Sequence, residues 1–440
     1  MAPKSIVLFG AGPWPLEPGA AVTGPAIRAR QFAEPLIAAG HRVRLVLLEA
    51  EARAGIAVAG AAGACAVPPE RILDAAHTAG ALERGADAVF GVGSVMPAAA
   101  AAALAEHLGL PCWVDFFGDP LAELHALQSS PGAPFDVPRR DQVWRLMRAG
   151  LARGDAFSTV SGPQRLALIA QLGLLGRLGA DPGAAARVAS IPCAVPDAWT
   201  EWAPAPPFPR ALAQRGVAPE APLVVFGGSW NVWLDPEATG SLLRRSLERD
   251  PQLVAVLAGI PTGDAGERVR GALLAAVGGQ DRLVDLGTPA SGVEEAVLAH
   301  AGASVLIDRE VPEAYLGSRN RLLAQVRWGV RPVVSTLAEV ERELVAADLA
   351  ADATGQDAVA AVVRAARRDA GARDSDRRRG LAWLAGVAFT ATMEPALRWL
   401  DAGAPRWPAP PASGLVDWWR SAEPATAGES LLERIKRRLR

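Results

Sequence analysis

Short apolar runs alternate with helix-length segments in two successive series, parted by a proline-rich stretch, and this pattern constrains the chain more than any other feature. The first series opens with Ile6-Val-Leu-Phe9 and the break Gly10-Ala-Gly12. Thr23-Gly-Pro25 then puts proline at a first helical position, and Ala29, Phe32, Ala33, Leu36 and Ile37 share one helix face until Gly40 stops it. Pro35, inside that helix, predicts a kink. Val43 to Leu48 reads as the next strand, and two strands joined by so short a crossover are expected to be parallel and right-handed. The pattern recurs with strands at 86–90, 111–115, 156–160 and 189–191 and a helix at 97–108. Trp202 to Arg210 holds four prolines and reads as an extended hinge. A second series follows, with strands starting at Leu223, Leu253, Leu283, Ser304 and Pro332. Such alternation predicts α/β architecture with two Rossmann-like, doubly wound domains. Their expected bounds are 1–201, hinge 202–210 and 211–375, followed by closing helices at 376–404 and a Pro/Trp-rich tail at 405–440.

A length of 440 residues suits two or three domains. The 45 Lys and Arg against 47 Asp and Glu leave a net charge of −2, so no overall positive field exists to hold a nucleic-acid backbone. Cys65, Cys112 and Cys193 lack the paired spacing of a zinc site or redox dithiol and read as buried small apolar residues in a reducing compartment. The apolar run near Met1 is about four residues, too short for a secretory core, and no run reaches the ~18 of a membrane span. A cytoplasmic protein is the expectation. Gly10-Ala-Gly12 lacks the third glycine of the dinucleotide fingerprint, and the histidines are scattered, so neither a nicotinamide cofactor nor a metal is expected. Tryptophan, at 13 residues against 10 Phe and 1 Tyr, is in excess, which fits the codon bias of a high-GC genome.

The residues with chemical potential lie mainly in the second half. Gly227-Gly228-Ser229-Trp230 directly follows an apolar run, where glycines let backbone N–H groups approach a phosphate. A tight turn needing small residues is the other reading. Asn231 and Asp235 lie just beyond, in Trp230-Asn-Val-Trp-Leu-Asp-Pro236. Further on, Gly317-Ser318 breaks the chain before Arg319-Asn-Arg321. There a helix start would set two guanidinium groups beside a diphosphate, with Glu313 upstream to accept sugar hydroxyls. Either arginine alone reads as part of a solvated amphipathic helix. In the first half, Asp115 and Asp119 follow a strand's carboxyl end, which suits contact with an acceptor or sugar, and suits loop capping equally.

These strings resemble the retaining GT-B-fold glycosyltransferases of family four, the group 1 transferases, and in particular a bacterial branch. The matches run in order from about residue 5 to 345. They comprise Gly24-Pro-Ala-Ile-Arg28, Val114-Asp115 to Asp119-Pro120, Ser161-Gly-Pro-Gln164-Arg165, Trp230 to Pro236, Glu313 with Arg319 and Arg321, and Gly329 to Thr336. The resemblance implies a nucleotide-diphosphate sugar held by the second domain, with Gly227, Gly228, Trp230, Asn231, Asp235, Gly317 and Ser318 on the donor. Glu313, Arg319 and Arg321 would be the catalytic set. Gly24 and Arg28 would shape a cleft from the first domain, with Asp115 or Asp119 near a glycan, lipid-linked or small-molecule acceptor. No metal and no cofactor are implied, because basic side chains and a helix end take the charge of the leaving diphosphate.

Two departures stand out. Family members commonly carry a second glutamate, on the ribose, five residues before the glycine that is Gly329 here. Ala324 occupies that place, and Arg321 the alternative count forward from Glu313. The usual lysine after the glycine pair is also absent. A catalytically silent partner subunit is therefore the alternative to an active transferase, and an epimerase or phosphorylase on the same fold is a second. At the far end, Leu431, Leu432, Ile435 and Leu439 share one helical face, and five basic residues less Glu433 give +4. That segment, 428–440, reads either as a peripheral contact with an anionic inner membrane or as a frayed basic tail or helix packed on the protein.

Overall fold

The computed structural model describes residues 2–17, 22–74, 85–130, 136–179, 183–261, 263–290, 292–355 and 357–407. From residue 408 onward, the segment 428–440 included, the tail lies outside the described residues. The chain divides into two compact units. Unit 1 comprises 1–124, 134–192 and 392–440, and unit 2 comprises 125–133 and 193–391.

In unit 1, β1 (Ser5–Ala11), β2 (Arg42–Leu48), β3 (Arg53–Ala54), β4 (Gly63–Val67), β5 (Ala88–Gly91), β6 (Cys112–Phe116), β7 (Ala156–Thr159) and β8 (Val188–Ser190) form one sheet. Among the described residues its order is β3-β4-β2-β1-β5-β6-β7-β8. β1 and β2 are parallel, in register from Ser5 opposite Arg42 to Ala11 opposite Leu48, as the short crossover predicts. The helix between them, Gly24–Ala38, is capped by Thr23, whose hydroxyl accepts the Ala26 N–H at 3.3 Å. It continues through Pro35, in its last turn, to Ala38, and the proline there removes a single N–H. β4 has only a Gly-Ala-Cys-Ala-Val run to announce it, and β3 is a two-residue antiparallel edge.

Both faces of the sheet are covered. Ile6 and Leu8 of β1 face one core with Phe32, Leu36, Phe90 and Trp113, while Val7 and Phe9 face the other with the alanine-rich helix Val95–Leu108. A Cβ on Gly91 would lie 2.6 Å from the Pro97 carbonyl, so glycine sets how closely that helix meets β5. Trp399, on the helix Glu394–Asp401, packs edge-on against Phe90 and Trp113 at 5.7 and 5.5 Å, and Trp407 meets Phe157 at 6.0 Å. The predicted closing helices at 376–404 are thus shared out: Ala370–Ala385 belongs to unit 2, Glu394–Asp401 to unit 1.

Unit 2 carries β9 (Leu223–Trp230), β10 (Val254–Pro261), β11 (Leu283–Asp285), β12 (Ala303–Leu306), β13 (Arg331–Val334) and β14 (Ala351–Asp352). They are parallel, in the order β11-β10-β9-β12-β13-β14. The proline-rich stretch 202–210 lies inside this unit, and the chain enters it at Cys193. Val195 ties the beginning of the unit to its end, donating its N–H to the Val387 carbonyl at 3.0 Å and accepting the Phe389 N–H at 2.8 Å. Part of the tryptophan excess has a structural use here. Arg327 lies 4.4 and 5.0 Å from the Trp199 and Trp328 rings, and Arg377 lies 4.3 and 4.1 Å from Trp328 and Trp202.

The three cysteines are free thiols, Cys112 and Cys193 buried and Cys65 half-buried. No helix among the described residues is long and apolar enough to cross a membrane.

Candidate functional site

From β9 the chain of unit 2 moves outward to β10 and β11, then returns to β12 on the opposite side of β9. Such a reversal opens a crevice at the carboxyl ends of the two central strands, where open α/β sheets bind ligands. β12 pairs with β9 only at Ala303–Val224 and Ser304–Val225, so Gly227 and Gly228 lie past the last paired residues. The glycine pair does not follow the strand as the sequence suggests. It belongs to β9, whose ladder with β10 runs on through Gly228–Gly259 to Trp230–Pro261, and within it Gly228 takes φ +95°, a conformation that favours glycine. The following loop folds back on the segment after β12. Asp235 donates its N–H to the Ile307 carbonyl at 2.8 Å, and Arg309 donates its own to the Trp233 carbonyl at 2.7 Å.

A buried charged cluster fills the edge of this crevice. Arg319 occupies the turn between helices Pro312–Leu316 and Asn320–Arg327. Its Nε donates to the Asp308 carboxylate, its Nη1 to the Ser318 carbonyl at 3.0 Å, and Glu313 Oε1 lies 3.7 Å from Nη1. Burial works against this cation, yet Asp308, Glu313 and Glu341 outweigh it and hold Arg319 above its usual range. Gly317 is required by the same packing, since a Cβ there would fall 1.9 Å from Glu313 Oε1. Arg321 donates Nη2 to the Ser229 carbonyl and lies 5.4 Å from the Phe226 ring, while its buried Nη1 has no hydrogen-bond partner. Burial pulls Arg321 down to about 10 against the pull of Asp308. Glu341, in the first turn of Glu339–Ala346, accepts the Ala338 N–H at 3.2 Å and the Ser335 hydroxyl at 3.3 Å. Burial first, then Asp308, push its carboxyl up to about 7. Burial raises the carboxyl of Glu294, on the helix Val293–His300, although Arg321 and the nearby Gly228 N–H oppose the rise.

The structure therefore brings Gly227, Gly228, Gly317, Ser318, Arg319 and Arg321 to one end of one sheet, with Glu313 beside them. Two guanidinium groups are buried there, that of Arg319 committed to Asp308 and to main-chain carbonyls and that of Arg321 with one nitrogen unpartnered. Among the described residues no group of three His, Cys, Asp or Glu side chains could hold a metal ion. Asp308, Glu341 and Glu294 belong to the cluster and escaped the sequence reading. Asp308 had a usable signal, an acid directly after a buried strand; the other two had none.

Other expected site residues serve the architecture. Trp230 is buried against Phe226, with ring centroids 4.4 Å apart, and Asn231 offers its carbonyl to the Leu234 N–H at 3.1 Å. Asp235 caps the helix Pro236–Arg249 by accepting the Ala238 N–H at 2.8 Å, so that helix start already holds the chain's own carboxylate. In unit 1, Gly24 begins the first helix. Arg28 and Asp115, expected to line a cleft, are both 0% exposed and bind each other through two hydrogen bonds of 2.7 and 3.0 Å. Asp119 caps Pro120–Gln128 by accepting the Leu121 and Ala122 N–H groups at 2.9 and 3.0 Å, the capping alternative. Ala324, where the family resemblance leads one to expect an acid, is partly buried and packs against the core of Leu223, Val225 and Trp328.

Two Rossmann-like units, each a predominantly parallel sheet flanked by helices, define the GT-B class of fold. Among solved structures the chain is similar to an α,α-trehalose-phosphate synthase (UDP-forming) from Burkholderia xenovorans in complex with glucose-6-phosphate. The two are 14% identical, with a TM-score of 0.63, over 90% of this chain and 100% of that one. It is similar also to a sucrose-phosphate synthase from Thermosynechococcus elongatus, at 16% identity and TM-score 0.62 over 91% and 99% of the two chains. Anabaena HepE in complex with UDP and glucose matches at 13% identity and TM-score 0.58 over 91% and 100%. No family model and no curated protein matches the sequence.

Proposed function

We propose that this chain is a retaining glycosyltransferase, in line with its family-four resemblance, whose donor is a nucleoside-diphosphate sugar bound in unit 2 between β9 and β12. The observation that carries the reading is Arg321, a buried cation at the sheet's switch point with Nη1 left without a partner. In this reading Arg319 and Arg321 face the diphosphate, and Glu313 accepts donor-sugar hydroxyls. Gly317 and Ser318 set the turn between them. The bond from the sugar's anomeric carbon to the phosphate oxygen breaks as an acceptor hydroxyl forms the new one on the same face. The departing phosphate takes the acceptor's proton, and the two guanidinium groups stabilise its charge without a metal. UDP is the favoured nucleotide because the Burkholderia relative is UDP-forming and the Anabaena relative holds UDP. The acceptor is a sugar, a glycan or a lipid-linked glycan. Binding of segment 428–440 to anionic liposomes would favour the lipid-linked form.

A thermal-shift panel of UDP-, GDP- and dTDP-sugars tests the donor. A UDP-sugar at a hundredfold excess over its dissociation constant should stabilise the protein by about 2.7 kcal/mol. No shift with any of them would favour the silent-subunit reading that Ala324 supports. Release of UDP should fall in both Glu313→Ala and Arg319→Ala.

A further inference from the structure

The stretch 125–133 belongs to unit 2, although the chain on either side of it belongs to unit 1. It takes in the last residues of the helix Pro120–Gln128, with Ser129 and Ser130 just beyond. Arg309, a short way past β12, holds this helix end. Its Nη2 donates to the Ser129 carbonyl at 3.0 Å and the Ser129 hydroxyl at 3.2 Å, and its Nη1 to the Ser130 hydroxyl and the Ala126 carbonyl at 3.3 and 3.4 Å. A cation is favoured at the carbonyl end of a helix. The shortest bond runs elsewhere, from Nη1 to the Val232 carbonyl at 2.7 Å. A planar guanidinium can serve several acceptors at once where an ammonium cannot, so this one side chain ties the helix end to the loop that leaves β9.

That loop borders Arg319. Trp233 accepts the Arg309 N–H at its carbonyl, and its ring lies 5.5 Å from the Arg319 guanidinium. Leu234 forms an isolated antiparallel bridge with Asp308, whose carboxylate accepts Arg319 Nε. Both groups that bracket Arg319 therefore adjoin Arg309, Asp308 in the chain and Trp233 through a hydrogen bond. Ala126 and Leu127 of the helix end share one apolar cluster with Val232 and Trp233 and with Val311 and Ala314, which flank Glu313. Residues 231–235 form no helix and only that one bridge, so these contacts supply the order of the loop.

We propose that Arg309 is a positioning residue for glycosyl transfer: anchored to the helix end on one side and to Val232 and Trp233 on the other, it keeps Trp233 and Asp308 where they fix the Arg319 guanidinium on the leaving phosphate. The inference rests on the donor reading above and adds a residue that touches neither donor nor acceptor. Fixing a group that meets charge as it develops lowers the barrier more than it improves binding. The loss on removing Arg309 should therefore fall on kcat.

The test measures kcat for release of UDP from UDP-glucose, UDP-galactose and UDP-N-acetylglucosamine by the full chain, with the dissociation constant of UDP from calorimetry. Arg309→Ala should lower kcat by up to about a hundredfold, the cost of a misplacement of about 1 Å, and change the UDP dissociation constant far less. Arg309→Lys keeps the charge without the fork and should fall between this variant and the parent. Arg282→Ala is the control, because Arg282 likewise binds three carbonyls of unit 2, those of Leu247, Asp250 and Leu253, but at the amino ends of β10 and β11. It should melt lower than the parent and leave kcat unchanged. If kcat falls no further in Arg309→Ala than in Arg282→Ala, or if UDP affinity falls as much as kcat, the positioning role is overturned and the donor reading stands. A parent that neither binds UDP nor releases it from any of the three sugars overturns both. If Arg309→Ala does not fold, Arg309→Lys decides, and a kcat equal to that of the parent would overturn the role.

Discussion

Unit 1 buries an ion pair and wastes none of it. Asp115 accepts Arg28 at both carboxylate oxygens, the Ser158 hydroxyl at 2.6 Å and the Gly93 N–H at 3.2 Å, and Arg28 spends its remaining nitrogen on Gln31 and the Pro192 carbonyl. Unit 2 buries a larger cluster and leaves Arg321 Nη1, Asp308 Oδ1 and Glu341 Oε1 with no partner. Unpartnered buried polar atoms are costly, so a fold retains them where something else comes to bind. Similar residues at comparable burial thus have different meanings. A closed set of bonds holds Arg28 to Asp115 in the first sheet, and the open set beside β9 is where the proposed donor would bind.

The comparison can be broken most directly at Asp115. Asp115→Ala strands the buried Arg28 cation and should cost about 3–5 kcal/mol, read as an earlier urea transition, with no other effect on UDP affinity where the protein is still folded. Arg321→Ala should do the reverse. It removes an undercompensated cation, leaves the transition unchanged or later, and abolishes the stabilisation of about 2.7 kcal/mol expected from saturating donor. A large loss of stability in Arg321→Ala would erase the contrast. Glu341 sharpens it through pH. The native state keeps this proton up to about pH 7, while the unfolded chain releases it near the ordinary value of 4.5. Between those values the native state binds more protons, and stability falls as pH rises. Glu341→Gln, always neutral, should flatten melting temperature against pH from 5 to 8 and melt higher than the parent at pH 8. Smallest is Asp119→Ala, which loses a helix cap worth about 1 kcal/mol and should leave donor binding unchanged.

Much of this was readable in the chain itself. Alternation placed most of the strands within a residue or two, because strands buried on both faces are continuous apolar runs. Arg319, Arg321 and Glu313 stood out because the Gly317-Ser318 break isolates them. What escaped was long-range. Glu294 and Glu341 sit on ordinary helices, and only the folded sheet brings them to the end of β9. Arg28, Asp115 and Asp235 are polar residues beside strand ends or helix starts, and local spacing cannot say whether such a residue faces a ligand or a neighbour. β4 failed for composition: alanine and glycine carry little strand signal.

Trp399 and Trp407 close the aromatic core of unit 1, although every residue of unit 2 precedes them in the sequence. On the ribosome the earliest-made sheet must therefore wait, with Phe90, Trp113 and Phe157 incompletely covered, until the whole of the other unit has emerged. A translation product ending before residue 392 would leave that surface uncovered.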